Sequence, residues 1–129
     1  MAANPEELPV ASRKRGGQVP SPRLSHNVYV IELARDVLSE PRFRKRNGQY
    51  VDGQPCVYVG MTGLAVAERF ANHKRGHKGN VFVQRHGTRL LPELFAHLNP
   101  MPYEAALTME RELAEDLRQR ATASGRPEE

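Results

Sequence analysis

The sequence is poor in cysteine, has no tryptophan and lacks long apolar segments. Its one cysteine, Cys56, cannot form an intramolecular disulfide, and this composition suits a reducing compartment. No apolar run approaches the length that crosses a bilayer, and the N-terminus lacks the apolar core of a signal peptide. We therefore expect a soluble, cytoplasmic protein with no membrane partner.

Several common catalytic motifs are missing as well. The sequence contains no Walker motif, no dinucleotide-binding fingerprint and no Ser/His/Asp arrangement in a recognisable context. A zinc site built on His73 and His77 is disfavoured, because Gly76 lies between them and no CxxC spacing is present. None of these motifs therefore assigns a catalytic role to the chain.

Positive charge is concentrated in the first 90 residues. Residues 1–90 contain 15 basic and 7 acidic side chains, whereas residues 91–129 contain 4 basic and 8 acidic ones. A polyanionic partner such as nucleic acid would approach the first part of the chain. The acidic end is better suited to a helix surface or a cation site.

The length of 129 residues fits one small domain with tails. Residues 1–24 mix proline, glycine, serine and charge without a regular apolar period, so we expect a disordered basic tail there. Residues 25–121 form the expected folded domain. Residues 122–129 are expected to be a flexible C-terminus.

Two β-branched and aromatic runs predict a pair of strands, VYVIEL at residues 28–33 and CVYVGM at residues 56–61. The polar stretch between them predicts an excursion from a hairpin, with a short helix near residues 34–38. After the second strand, Thr62 offers an N-cap to a helix that ends near Gly76.

The later part of the chain has a weaker and then a stronger helical signal. The VFVQ run at residues 81–84 fits either a strand or a helical turn, and a short helix is expected after Pro92. Residues 102–120 give the strongest helix prediction, because apolar side chains recur there at spacings of three and four.

Glu110 lies beside the apolar stripe of this last helix, four residues after Ala106 and three before Leu113. A half-buried carboxylate needs a partner. One interpretation is an ion pair with a nearby arginine, which the helix alone favours. The other is a ligand for a divalent cation such as Mg²⁺, which is commonly held by one or two carboxylates together with water and phosphate oxygens.

Four further residues have both an ordinary and a functional interpretation. Arg69 and His73 share one helix face at a spacing of four, where a guanidinium suits phosphate oxygens but a solvated face is the usual explanation. Tyr29 and Tyr58 occupy the two predicted strands. A strand tyrosine taken alone is ordinarily a packing residue.

The order of these residues resembles the pattern of the GIY-YIG nuclease family, and the chain is similar to a single-domain bacterial member over residues 26–120. The matching residues are Asn27-Val28-Tyr29, Tyr58-Val59-Gly60, Arg69 with His73, and Glu110. The stretch from YVG to ERFANHKRG is the most specific part of the resemblance.

This resemblance implies an α+β fold in which a small three-stranded antiparallel sheet is flanked by helices. It also implies that Tyr29, Tyr58, Arg69 and Glu110 converge on one catalytic face, where one tyrosine helps to deprotonate the attacking water. Because a phenol is a poor base at neutral pH, that role requires positive charge nearby. Gly60 would end the strand where the backbone passes close to the active site.

The resemblance assigns further roles residue by residue. Arg69 would stabilise charge on the scissile phosphate, and His73 would orient a tyrosine or share a proton with it. Glu110 would bind one Mg²⁺ or Mn²⁺ ion, which neutralises the leaving oxygen. Gly60 and Lys74 are expected beside the substrate.

The sequence departs from the family pattern at three places. Asn27 stands where the name-giving glycine is expected, although asparagine tolerates unusual backbone angles. No asparagine follows the glutamate helix, although many members have one there. The interval between the tyrosines is long and basic, and its cations are either a phosphate-contacting insertion or part of a solvated loop. These cations are Arg42, Arg44, Lys45 and Arg46.

The sequence therefore predicts a metal-dependent endonuclease that hydrolyses phosphodiester bonds in nucleic acid, with DNA favoured as the substrate. A homodimer or a protein partner is a possible means of targeting. The alternative is a catalytically inactive nucleic-acid-binding or protein-interaction module on the same scaffold, which the missing asparagine and the altered first motif favour.

Overall fold

In the computed structural model, the described part of the chain consists of residues 23–120 and 122–127. The expected disordered tail at residues 1–24 lies almost wholly outside this part. The regular elements, in chain order, are β1 (Asn27–Leu33), α1 (Pro41–Arg46), β2 (Cys56–Thr62), α2 (Val66–Lys74), α3 (Val81–His86), β3 (Gly87–Leu90), α4 (Tyr103–Gln119) and β4 (Ala123–Gly125). Short 3₁₀ helices lie at Arg35–Ser39, Pro92–Leu94 and Ala96–Leu98. None of the helices in the described residues has the length and apolar character that a membrane crossing needs.

The described strands form one mixed sheet in the order β3-β1-β2-β4. β1 pairs with β2 and β3 in antiparallel orientation, and β2 pairs with β4 in parallel orientation. The α+β class is confirmed. The predicted three-stranded antiparallel sheet is wrong, because a fourth strand adds to the β2 edge in parallel. That strand comes from the stretch expected to be a flexible C-terminus.

Side-chain hydrogen bonds hold β4 in place. The Ser124 amide donates to Asn47 Oδ1 at 2.8 Å, and Ser124 Oγ donates to the Ala114 carbonyl at 3.0 Å. Asn47 is fully buried and donates from Nδ2 to the Phe43 carbonyl at 2.8 Å. These bonds help to offset the entropy lost when a three-residue strand is ordered.

β1 and β2 form the centre of the fold. Nearly all their side chains are buried, on both faces of the sheet. Strands covered on both faces read as continuous apolar runs rather than alternating ones, which is why both were visible in the sequence. The two strand predictions are confirmed, and each strand is one residue longer than its apolar run.

The connections differ more from the predictions. Thr62 is the last residue of β2, and its Oγ1 accepts a hydrogen bond from the Leu64 amide at 3.0 Å. The N-cap of α2 is Ala65, which makes no side-chain cap, so the N-cap prediction for Thr62 is wrong. The VFVQ run is helical, because Asn80 caps α3 by accepting from two following amides.

α4 packs across the sheet and carries the acidic residue of interest. Its buried residues, Ala106, Glu110, Ala114 and Leu117, recur at spacings of four, four and three. The predicted long helix is confirmed. Glu110 lies within the buried stripe rather than beside it.

Candidate active site

The two motif tyrosines lie side by side on one face of the sheet. In the register of β1 and β2, Tyr29 pairs with Gly60 and Ile31 pairs with Tyr58, so the tyrosines are offset by two residues. Because side chains alternate along a strand, this offset directs both phenols to the same face. The ring centroids are 6.4 Å apart, and both side chains are buried.

Gly60 provides the space that Tyr29 occupies. A Cβ atom at position 60 would lie 2.5 Å from both Cζ and Oη of Tyr29, which is closer than non-bonded atoms approach. Gly60 also lies inside β2, which continues to Thr62. The expectation that Gly60 ends the strand is therefore wrong, and the structure gives it a steric role beneath the phenol.

His73 of α2 is hydrogen-bonded to Tyr29. Its Nε2 lies 2.8 Å from Tyr29 Oη, and the Asn80 amide donates to its Nδ1 at 2.9 Å. Since Nδ1 accepts a hydrogen bond, the neutral imidazole carries its proton on Nε2 and donates it to Tyr29. Burial and the Arg69 charge lower the pKa of His73 to about 4, so the ring is neutral at pH 7.

Because His73 is the donor in this hydrogen bond, the hydroxyl proton of Tyr29 can be donated to another acceptor. Burial raises the pKa of Tyr29 to about 12, and the Arg69 guanidinium only partly opposes that effect. Burial also raises the pKa of Tyr58, with the charges of Tyr29 and Glu110 adding to it. Arg69 alone therefore does not activate either tyrosine, because burial outweighs its effect on the pKa of both.

The loop after α2 fixes both His73 and Arg69. Gly76 and Lys78 adopt positive φ angles of 78° and 52°, which turn the chain back onto the helix. In this position the Lys78 carbonyl accepts a hydrogen bond from Arg69 Nη2 at 3.0 Å, and the following Asn80 amide reaches His73. Arg69 is half-buried, and its charge acts on Tyr29 and Tyr58.

Glu110 approaches the two phenols from α4. Its side chain is 4% exposed, and its charge raises the pKa of both tyrosines. Arg126 Nη2 lies 3.5 Å from Glu110 Oε1, with the arginine side chain 13% exposed. The sequence left an ion pair and a metal ligand open for Glu110, and the structure shows an ion pair. The arginine comes from the residue that follows β4.

The donor set of Glu110 also fits a divalent cation of the Mg²⁺ type. One carboxylate completed by water and phosphate oxygens is a common arrangement for that ion. Residues 23–120 and 122–127 contain no cluster of three or more His, Cys, Asp or Glu side chains that could hold a metal ion, so an ion at this site would depend on the single carboxylate. Arg126 Nη2 lies beside one oxygen of this carboxylate, so the ion and the guanidinium would share the same ligand group.

The cations expected to contact phosphate between the two tyrosines lie on a helix rather than a loop. All of them are on α1 and all are exposed: Arg42, Arg44, Lys45 and Arg46. The Arg42 guanidinium packs over the Phe82 ring at 5.4 Å, and that of Arg44 packs over the Tyr50 ring at 5.7 Å. These contacts leave the helix as an exposed basic surface.

Lys74, which was expected beside the substrate, is hydrogen-bonded to backbone carbonyl groups. Its Nζ lies 2.8 Å from the Gly87 carbonyl and 3.2 Å from the Gln84 carbonyl, to both of which it donates. An ammonium in this position satisfies carbonyl groups at the end of α3. Its charge is therefore engaged by backbone carbonyl groups.

Asn27 occupies the altered position of the first motif and is an ordinary strand residue. It pairs with Thr62, and its Nδ2 donates to the Leu64 carbonyl at 3.2 Å. Among the described residues, Lys78 is the only non-glycine residue with a positive φ angle. The tolerance of asparagine for unusual backbone angles is therefore not used at position 27.

Sequence reasoning missed two residues of the site. Asn80 contacts His73 through its backbone amide. Every residue except proline has that group, so the identity of the residue does not predict this contact. Arg126 lies in a stretch without apolar periodicity, and its position depends on β4. A run of three small residues, all of them buried, is too short to predict that strand.

The fold and the site together define a small α+β domain with a hydrogen-bonded Tyr-His pair, a guanidinium and a buried carboxylate on one side of a mixed sheet. Comparison with protein-family models, with curated proteins and with solved structures gave no match to this chain. The relation to the GIY-YIG family therefore rests on the order of its motif residues and stays a prediction.

Proposed function

We propose that this protein is a metal-dependent endonuclease that hydrolyses phosphodiester bonds in nucleic acid, with DNA as the favoured substrate. The observation that supports it is the meeting of five distant side chains at one face of the sheet. They are Tyr29, Tyr58, Arg69, His73 and Glu110. An ordinary core does not bring a guanidinium and a carboxylate next to two buried phenols, because each buried charge carries a desolvation cost.

Arg69 is suited to a phosphate. Its guanidinium has five N–H donors, and one of them donates to the Lys78 carbonyl. This hydrogen bond orients the group and uses only one of the five donors. A phosphodiester that is attacked by water gains negative charge on its non-bridging oxygens. A preoriented guanidinium stabilises that charge without reorganising during the reaction.

Tyr29 is the better candidate for proton transfer. His73 fixes its oxygen by donating from Nε2, so the phenol proton is directed toward a different acceptor. Arg69 acts on Tyr29 through a hydrogen bond and its charge, and only burial has a larger effect there. For Tyr58 the effect of Arg69 is also smaller than those of the Tyr29 and Glu110 charges. As the water oxygen bonds to phosphorus, Tyr29 would accept a proton from that water and pass its own hydroxyl proton to a non-bridging phosphate oxygen. The leaving oxygen would then depart with the electron pair of its broken bond to phosphorus and take a proton from solvent.

Glu110 is the residue that would hold the divalent ion. When bound, that ion supplies positive charge at the leaving oxygen and favours ionised oxygen ligands. The carboxylate itself is buried and paired with Arg126. His73 remains neutral and continues to position Tyr29, because its pKa lies far below neutral pH.

The binding module is the second candidate, and the Glu110–Arg126 pair is the observation that favours it. If the pair never opens, Glu110 is not available to a metal, and the exposed basic face of α1 would serve nucleic-acid binding alone. Binding through phosphate contacts of that kind weakens steeply with added salt.

A cleavage assay separates the two candidates. The purified chain is incubated with supercoiled plasmid, branched DNA and RNA, each with Mg²⁺, with Mn²⁺ and with chelator. The endonuclease predicts cleavage that needs the metal and that disappears in Glu110→Gln. Arg120→Ala is the matched control, because its side chain is 72% exposed and pairs with Asp116 on the outer face of α4.

Two results of this assay would contradict the proposal. Salt-sensitive gel shifts on every substrate, with no metal-dependent cleavage, would reject the endonuclease in favour of the binding module. Full cleavage by Glu110→Gln would remove the metal-binding role of that carboxylate.

A further inference from the structure

β4 delivers a positive charge to the carboxylate that would bind metal. Gly125 pairs with Tyr58 in the parallel ladder of β2 and β4, so Arg126 leaves the sheet beside that tyrosine. The backbone at this point is closely packed, because a Cβ at position 125 would lie 3.2 Å from Phe43 Cε1. A packed strand end therefore aims the Arg126 side chain at Glu110.

The position of this guanidinium disfavours a second cation at the same oxygen. Arg126 Nη2 is 3.5 Å from Glu110 Oε1. Since Mg²⁺ binds oxygen at about 2.0–2.1 Å, an ion on Oε1 would lie within about 5.6 Å of that nitrogen. Both side chains are largely shielded from water, so the repulsion between the two positive charges is weakly screened.

We propose that Arg126 competes with the divalent ion for Glu110 and thereby sets the metal concentration that the site requires. The inference rests on the proposed endonuclease function, since it identifies how that same site is regulated. At low metal concentration the guanidinium neutralises the carboxylate. Metal binding moves the guanidinium off Glu110, and the displaced group then becomes available to an anion such as phosphate.

Competition between two cations for one carboxylate is a negative coupling of their binding. Couplings between ligand sites typically change affinity by about 5- to 150-fold. Arg126→Gln removes the charge while keeping a side chain of similar polarity, so it should tighten Mn²⁺ binding by about that factor. Arg126→Lys keeps the positive charge and should stay much closer to the unsubstituted protein.

Mn²⁺ binding to the full chain, measured by the electron paramagnetic resonance signal of free Mn²⁺, tests this without nucleic acid. The gain in Arg126→Gln should disappear when Glu110→Gln is added, because the competition acts through that carboxylate. Arg120→Ala again serves as the control, since it removes one positive charge from an exposed position. Unchanged or weaker Mn²⁺ binding in Arg126→Gln, or an equal gain in Arg120→Ala, would overturn the proposal.

A measurement on the unsubstituted protein covers the case in which Arg126→Gln does not fold. The Nε–H resonance of Arg126, followed by NMR during a Mg²⁺ titration, should move with the same midpoint as metal binding. A resonance that stays in place while Mg²⁺ binds would refute displacement of the guanidinium.

The outcomes also separate this inference from the endonuclease itself. Tighter Mn²⁺ binding in Arg126→Gln without any cleavage would support the competition and reject the enzyme. Cleavage whose Mg²⁺ requirement is the same with and without Arg126 would support the enzyme and reject the competition.

Discussion

His73 gives the protein a pH dependence that follows from its surroundings. Folding lowers the pKa of His73 from 6.5 to about 4, because the ring is fully buried and close to the Arg69 charge. Between those values the unfolded chain binds a proton that the folded protein excludes. The stability contributed by neutral His73 is therefore fully present above pH 6.5 and is lost as the pH falls toward 4. Between pH 7.5 and pH 4.5 the loss is about 2–3 kcal/mol.

Urea unfolding followed by far-ultraviolet circular dichroism at these two pH values measures the loss. Other groups also titrate in this range, including Glu40, whose pKa is lowered by hydrogen bonds from His86 and Arg85. The comparison is therefore with His73→Gln, which retains an amide donor and an oxygen acceptor but does not titrate. The unsubstituted protein should lose about 2–3 kcal/mol more than the variant on acidification.

An equal loss in the two proteins would refute the reasoning, since it would mean that folded His73 accepts a proton without penalty. The tautomer has an independent test in the ¹⁵N chemical shifts of the imidazole. A proton found on Nδ1 at neutral pH would contradict the hydrogen bond from the Asn80 amide and with it the donor role of Nε2 toward Tyr29.

Two further substitutions test the architecture of the site. Gly60→Ala should destabilise the fold by about 1–3 kcal/mol, because its methyl group meets the Tyr29 ring, whereas Gly48→Ala has no atom within 4 Å of its Cβ and should cost little. Equal costs in urea unfolding would reject the steric role of Gly60. Arg69→Ala should slow single-turnover cleavage by about 10²- to 10³-fold while Arg120→Ala leaves it unchanged. An undiminished rate in Arg69→Ala would exclude charge stabilisation by that side chain.

The parts of the fold that the sequence predicted have strong local signals. β1 and β2 are covered on both faces and therefore appear as unbroken apolar runs. α4 has a sustained helical period over its 17 residues. β3 and β4 have four and three residues, and their pairing depends on partners far away in the chain. A tertiary contact of that kind leaves no periodic trace in a short segment.

The site was predictable to the extent that residue order encodes it. The order of the tyrosines, the Arg/His pair and the helix glutamate indicated that these residues converge, and the structure brings them together at one face. The ionisation states were not predictable, because they depend on burial. Arg69 alone does not make a tyrosine basic when the ring is excluded from water. The direction of the Tyr-His hydrogen bond likewise depends on a loop amide at Asn80.

The Glu110–Arg126 pair is difficult to explain as a contribution to stability alone. A buried ion pair contributes little net stability, because the desolvation of both charges offsets their attraction. Glu110 lies between Ala106 and Ala114 in the buried stripe of α4, where an apolar side chain would pack without that desolvation cost. The exchange proposed above would give both charges a role, because the guanidinium would neutralise the carboxylate until a divalent ion replaced it. Opening of the pair therefore separates the endonuclease from the module that only binds nucleic acid, and Mn²⁺ binding to Arg126→Gln measures it.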